Sequence, residues 1–285
     1  SRRRRSGGRG GAKWLAVLAV AGLIVYVALA MGLGNVIHDR FLAPEEPGED
    51  ELTDATPQPT QALSSEITET VAFPRIEVYA LSAGSYPSRA EAQKNALLFA
   101  ARGGAGYVEE GDEYQVLLSA YNSRKACETV AEKLGDEENI AAQVVALAAD
   151  AVELKLTAQA QRIDGIRDAF AIWQQTTQML SDLWQDVDSG VCSAQQAKKR
   201  VSDQREKLKE TMDTAFSDAL IQGQATALDG LYGVLQATLQ GLDAIAVEEA
   251  ENVLEVSSKI KYTEISSLTE YQSYVEALKA QMQEE

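Results

Sequence analysis

The sequence predicts an α+β protein that contains a transmembrane helix, a βαββαβ module and an antiparallel α-helical bundle. Three observations support this prediction. Residues 14–34 contain no charged side chain, two stretches beginning at Tyr79 and Tyr114 resemble each other, and the region after residue 150 contains no proline. These features are typical of a membrane span, of a repeated strand–helix unit and of long helices, respectively.

The N-terminal segment has the composition of a membrane anchor with a basic cytoplasmic tip. Residues 1–13 hold six basic side chains, and the first acidic residue is Asp39. The 21 uncharged residues 14–34, at about 1.5 Å of rise each, span a hydrocarbon core of about 30 Å and so contact the lipid bilayer. The basic flank predicts a single-pass protein of the cell membrane with an extracytoplasmic body. A cleaved signal peptide is the alternative, because Ala28-Leu-Ala30 resembles a cleavage site.

The remainder of the chain is acidic, with 20 basic residues against 43 acidic residues after the tip. Such a surface repels phosphate, so we expect no nucleic-acid partner. Residues 35–73 combine four of the six prolines with many carboxylates. This composition cannot form a core and predicts a flexible linker.

Residues 74–149 are predicted to form the βαββαβ module. Ser88-x-x-Glu91 is a capping box, and Gly103 ends the helix that it begins. Strands are predicted for residues 75–83, 105–109, 113–120 and 140–147, and helices for residues 88–102 and 123–134. This order closes into one antiparallel sheet with both helices on one face, while the other face stays open to solvent.

Alternation along two strands assigns side chains to the two faces of this sheet. The residues expected to point towards the helices are Tyr79, Leu81, Ala83, Tyr114, Val116 and Leu118. The residues expected on the open face are Ala80, Ser82, Gln115, Leu117 and Ser119.

Residues 150–285 are predicted to form a bundle of three or four antiparallel helices, with no further strand. An apolar stripe at heptad spacing comprises Val152, Leu156, Ile163, Ile166, Phe170, Trp173, Leu180, Trp184 and Val187. Residues 188–193 read as a turn in which Ser193 caps the next helix. Because Trp173 and Trp184 fall on this stripe, we expect them to pack in the core rather than to bind sugar.

The module resembles the SPOR domain, a peptidoglycan-binding module of bacterial cell-division and sporulation proteins. The first stretch reads Tyr79-Ala-Leu-Ser-Ala-Gly-Ser-Tyr86 and continues with Ser88-Arg-Ala-Glu-Ala92. The second reads Tyr114-Gln-Val-Leu-Leu-Ser-Ala-Tyr121 and continues with Ser123-Arg-Lys-Ala126. The order of basic tip, membrane anchor, flexible linker and extracytoplasmic module also resembles the layout of many SPOR proteins.

The resemblance implies binding of glycan strands that lack stem peptides, in a groove on the open face of the sheet. It places Ser82, Ser85, Gln115 and Ser119 at the ligand, with Leu117 as an apolar floor. The chain departs from the family pattern where Ser82 replaces a glutamine, Gln115 replaces an arginine and Ser119-Ala120 replaces Gly-Pro.

The composition argues against an enzyme and against a cofactor or metal site, and a wall-cleaving glycosidase that uses only carboxylates stays the open alternative. The single histidine is His38, at the predicted membrane boundary, so His-based catalysis and His-ligated zinc are not expected in the body. Cys127 and Cys192 are too far apart in sequence to suggest a thiolate cluster, and a disulfide between them stays an open alternative.

The sequence therefore predicts a membrane-anchored, non-catalytic protein that binds peptidoglycan glycan strands at division or sporulation septa. The bundle would recruit a protein partner or self-associate. The alternative is an envelope scaffold that acts through its bundle, with a SPOR-like module that has lost glycan binding.

Overall fold

The structure, a computed structural model, describes residues 66–216, 226–246 and 252–284. Its strands are β1 (Glu66–Phe73), β2 (Ile76–Tyr86), β3 (Tyr107–Glu110), β4 (Tyr114–Tyr121), β5 (Gln143–Ala149) and β6 (Val152–Gln159). Its helices are α1 (Arg89–Ala100), α2 (Arg124–Glu138), α3 (Ala160–Asp188), α4 (Ala194–Phe216), α5 (Thr226–Ala246) and α6 (Val253–Glu284). The predicted α+β class and the helical C-terminal region are confirmed.

The four-stranded sheet has the order β3-β4-β2-β5, and every pairing is antiparallel. Its strands and the helices α1 and α2 follow the predicted βαββαβ order. Ser88 caps α1 by accepting a hydrogen bond from the backbone N–H of Glu91 at 3.3 Å. Gly103, with φ of 88°, follows the helix as predicted, because glycine tolerates this left-handed conformation.

A second sheet, formed by β1 and β6, was not predicted. Phe73 pairs with Val152 and Ile76 pairs with Ala149, so both sheets share one register. β1–β2 and β5–β6 therefore form one long antiparallel ribbon, interrupted where Pro74 has no N–H to donate.

The ribbon corrects two predictions. Residues 66–73, assigned to the flexible linker, form β1, and the region after residue 150 does contain a strand. The apolar side chains of β6 alternate with polar ones, and its buried Val152 and Leu154 face the same core as Val71 and Phe73. Burial of this face explains why both segments pair instead of remaining solvated.

The other N-terminal predictions lie outside the described residues. These are the basic tip at 1–13, the transmembrane helix at 14–34 and the linker at 35–65. Within the ranges that the structure describes, none of the helices has the length and apolar character needed to cross a bilayer.

The four C-terminal helices pack as an antiparallel bundle. Between α3 and α6, Trp173 Nε1 donates to Ser267 Oγ at 2.8 Å and Trp184 Nε1 donates to Glu264 Oε2 at 2.7 Å. The later tryptophan of α3, Trp184, contacts the earlier of the two α6 residues, Glu264, so α3 and α6 run in opposite directions. The predicted stripe is buried from Ile163 to Val187, and both tryptophans lie in the core.

The loop between α3 and α4 agrees with its prediction. Ser193 Oγ accepts a hydrogen bond from Gln196 N at 3.2 Å, while Gln196 Oε1 accepts one from Ser193 N at 2.9 Å. This reciprocal capping box starts α4. Cys192 beside it is buried, as is Cys127, and both are free thiols.

Candidate functional site

The first face of the four-stranded sheet packs as predicted, against α1 and α2. Leu81, Val116 and Leu118 form a core with Ala92 of α1 and Cys127 of α2. Burial raises the pKa of the Cys127 thiol to about 11. This thiol is therefore a packing group and a poor nucleophile at neutral pH.

The second face is not open, which corrects the prediction. Ile265 and Leu268 of α6 pack against Val78, Ala80 and Leu117 of the sheet. At the β3 side, the hydroxyl of Tyr107 is 2.8 Å from Thr269 Oγ1. A helix that packs on apolar side chains and makes a partly buried hydrogen bond to the sheet occupies the predicted ligand groove.

The five predicted glycan-binding residues are divided by this helix. Ser82, Leu117 and Ser119 are buried, with exposures of 2%, 0% and 5%. The Ser82 hydroxyl accepts from Gly84 N at 3.3 Å, and the Ser119 hydroxyl donates to the Tyr121 hydroxyl at 3.2 Å. The polar groups of both serines are therefore used within the fold.

The remaining two predicted residues meet at the end of the sheet that α6 leaves uncovered. Ser85 is exposed and pairs with the partly exposed Gln115, which pairs in turn with Glu109 of β3. These side chains line a cavity of about 360 Å³ together with the β3–β4 turn. Burial raises the pKa of Glu109. A hydroxyl, an amide and a carboxyl in one row can hydrogen-bond a sugar or a peptide.

A buried polar cluster joins the module to the bundle. Lys261 of α6, only 7% exposed, donates to Asp188 Oδ2 at 2.6 Å and to the carbonyl oxygen of Gly103 at 2.8 Å. Its ammonium also lies 4.9 Å from the centre of the Trp184 ring. Asp188 additionally accepts a hydrogen bond from Ser257. One side chain thus ties α6 to α3 and to the turn after α1.

Glu264 lies one helical turn further along α6 and is buried. Desolvation raises the pKa of its carboxyl to about 8, against the smaller opposing effects of the Trp184 N–H and the Lys261 charge. The side chain borders a cavity of about 190 Å³ between β2, α3 and α6. At neutral pH this carboxyl is mostly protonated, which suits its place within a core.

The sequence contains a weak signal for this cluster. Lys261 and Glu264 are three positions apart in a helix whose Ile260, Ile265 and Leu268 mark it as apolar. Charged residues inside such a pattern indicate a buried polar contact, but their partners, such as Asp188, were not predictable. Within the described ranges, no group of three or more His, Cys, Asp and Glu side chains is arranged to hold a metal ion.

A long surface groove lies on the opposite side of α6 from Glu264, between α1 and α5. It holds about 940 Å³ and is bordered by Leu97 of α1, Gly241 of α5 and Tyr262 of α6. Leu97 and Tyr262 are 73% and 46% exposed. Neither the groove nor its exposed leucine was among the predicted site residues.

Comparison with known proteins adds no relative, since the chain matches no family model and has no significantly similar counterpart among curated proteins or solved structures.

Proposed function

We propose that this protein is a non-catalytic scaffold of the bacterial cell envelope that binds a protein partner through its helical region. The observation that carries this proposal is the position of α6, whose Ile265 and Leu268 fill the sheet face where a glycan strand would bind. The same helix forms the core of the bundle through Tyr271 and Val275. Exposing the sheet face would therefore require disrupting both cores.

Burial of apolar side chains and of Lys261 favours a permanently covered sheet face. Leu117 is fully buried and Leu268 is nearly so, and each contributes about 1.5–3 kcal/mol by leaving water. Lys261 would also lose two hydrogen bonds and leave Asp188 without its cation. A glycan strand that displaced α6 would have to offset all of these losses.

The membrane anchor and the extracytoplasmic location belong to the same proposal, and they rest on residues 1–34. An uncharged segment flanked by six basic residues supports a cytoplasmic N-terminus and an outward-facing body. The SPOR-like repeat supports a bacterial envelope as the compartment.

A second candidate function is glycan binding at the uncovered end of the sheet. Ser85 and Gln115 remain accessible there and share a cavity with Glu109. This smaller site would hold a short section of denuded glycan at a division or sporulation septum, without displacing α6.

Co-sedimentation with cell-wall sacculi distinguishes the two functions. The full chain, kept in mild detergent, is mixed with sacculi that retain their stem peptides or have lost them to an amidase. The scaffold proposal expects the chain in the supernatant in both cases. Accumulation on denuded sacculi that is lost in the Ser85→Ala, Gln115→Ala double variant would overturn it in favour of the second candidate.

A further inference from the structure

The groove between α1 and α5 has about the volume of a short helical segment. A cylinder with the 10 Å diameter of a helix and a volume of about 940 Å³ is about 12 Å long, or roughly two helical turns. The α5 wall presents the small side chains of Ala237 and Ala244 to the groove, while Gly241 between them packs against Thr263 of α6. Leu97 and Tyr262 supply exposed apolar surface on the other two sides.

The groove continues into a second cavity of about 510 Å³ along the outer edge of β3. Carboxylates dominate this end, where Glu109, Glu110, Glu270 and Glu276 line the cavity. The basic residue in this lining, Arg89, is 3.1 Å from Glu110, so the charges of this pair cancel and the excess negative charge comes from Glu109, Glu270 and Glu276. The groove therefore has one mainly apolar end, whose lining also includes Lys259, and one acidic end.

We propose that this groove binds an amphipathic α-helix of a partner protein, whose apolar side lies between α1 and α5 and whose basic end lies over the β3–α6 carboxylates. The inference rests on the proposed scaffold function and specifies the class of partner. A second copy of this chain is disfavoured as the occupant, because it would bring the same acidic end and the same strong negative charge.

The apolar end predicts which side chain matters most. Leu97 borders the groove, whereas its neighbour Leu98 is also exposed, at 58%, but does not. A glutamate at either position adds the same charge to the same helix. Only the change at Leu97 places that charge against the apolar side of a bound helix, so the two variants form a matched pair.

The probe is a fluorescein-labelled, 20-residue designed helix with a leucine and alanine stripe and four lysines at one end. A second peptide carries four glutamates instead. Binding is measured by fluorescence anisotropy to the full chain in phosphatidylcholine nanodiscs, with empty discs subtracted. We expect the lysine-ended helix to bind the natural chain at least about tenfold more tightly than the glutamate-ended helix.

The variants then locate the binding. Leu97→Glu should weaken the lysine-ended helix by about tenfold or more, and Leu98→Glu by less than about twofold. Ala244→Glu, on the α5 wall, should match Leu97→Glu. Equal effects of the two leucine variants, no measurable binding, or self-association that depends on Leu97 would each overturn the inference. If the peptide fails but the chain still forms a protein complex and ignores sacculi, the scaffold function stands and only this site is lost.

Discussion

The two faces of the four-stranded sheet are buried by helices that lie at very different distances along the chain. The first face meets α1 and α2, which connect strands of the same sheet. The second face meets α6, which begins more than a hundred residues after the end of β5. A sheet face of small residues with a few hydroxyl groups looks like a ligand-binding surface when only the local sequence is considered. In this structure the second face is instead covered by α6.

The side chains of the two faces show how each packs. The first face presents large residues such as Leu81 and Leu118 to two short helices. The second presents Ala80, Ser82 and Ser119 around Leu117, so that one long helix approaches closely. Small polar residues on a sheet therefore indicate either an open binding face or a close helix contact, and only the tertiary structure separates the two.

Removing a leucine from each face gives the largest expected effect. Leu81→Ala and Leu117→Ala should each lower the free energy of unfolding by about 2–5 kcal/mol, because both side chains are fully buried. Urea denaturation of the two variants measures this directly. A loss below about 1 kcal/mol for Leu117→Ala alone would mean that the second face is exposed in solution.

The buried carboxyl of α6 makes the second face sensitive to pH. The folded-state pKa of Glu264 is raised to about 8, whereas an unfolded glutamate titrates near pH 4.3. As pH rises, the unfolded state therefore releases this proton at a lower pH than the folded state does. The free energy of unfolding falls as pH rises from the unfolded-state pKa to the folded-state pKa. Glu264→Gln removes this dependence, so its stability relative to the natural chain should rise by about 2–4 kcal/mol from pH 5 to pH 8.

Thermal or urea unfolding at several pH values tests this expectation. Glu270→Gln makes the same chemical change at an exposed position of α6 and controls for the loss of one carboxylate. A stability difference for Glu264→Gln that stays constant with pH would show that the carboxyl is ionised and solvated in the folded protein.

Two glycines of α5 test how closely α5 packs against α6. A methyl group at Gly241 would overlap the side chain of Thr263, while one at Gly233 would meet open space. Gly241→Ala should therefore destabilise the fold by about 1–3 kcal/mol. Gly233→Ala should stabilise it by about 0.5–1 kcal/mol through helix propensity. If Gly241→Ala and Gly233→Ala shifted the melting temperature in the same direction, α5 would not pack on α6 in this way.

The smallest expected effect concerns the N-terminal caps of α1 and α2, the two helices that cover the first face. Ser88 caps α1 with its side chain, whereas Ser123 makes no such bond at the start of α2. Ser88→Ala should cost about 1 kcal/mol, and Ser123→Ala should cost clearly less. Chemical denaturation resolves this difference, and equal costs would indicate that both serines cap their helices in solution.

Local patterns predicted most of the secondary structure. The helix caps at Ser88 and Ser193, the alternation in β2 and β4 and the heptad stripe of α3 all involve residues within a few positions of each other. The error at Val152 and Leu156 has a specific cause, because a spacing of four fits a helix as well as a strand. The intervening Leu154 was the signal for β6, and its partner β1 lay in a proline-flanked, acidic segment.

The candidate sites were less predictable, because they depend on contacts between distant parts of the chain. Nothing near Ser82 or Ser119 in sequence indicates that Leu268 lies over their face. Lys261 likewise gives no hint of its bond to Gly103, 158 positions away. The groove is built mainly from α1, α5 and α6, which are far apart in the chain, and neither Leu97 nor Tyr262 was assigned to a site from the sequence.

The late position of α6 also has a consequence for synthesis on the ribosome. The sheet and its first two helices emerge before Ile265 and Leu268 have been translated. At about 5–20 residues per second, Leu117 and its neighbours wait roughly ten seconds without their covering helix. During that interval the nascent chain displays an apolar surface that the finished protein hides, so we expect a molecular chaperone to bind it there.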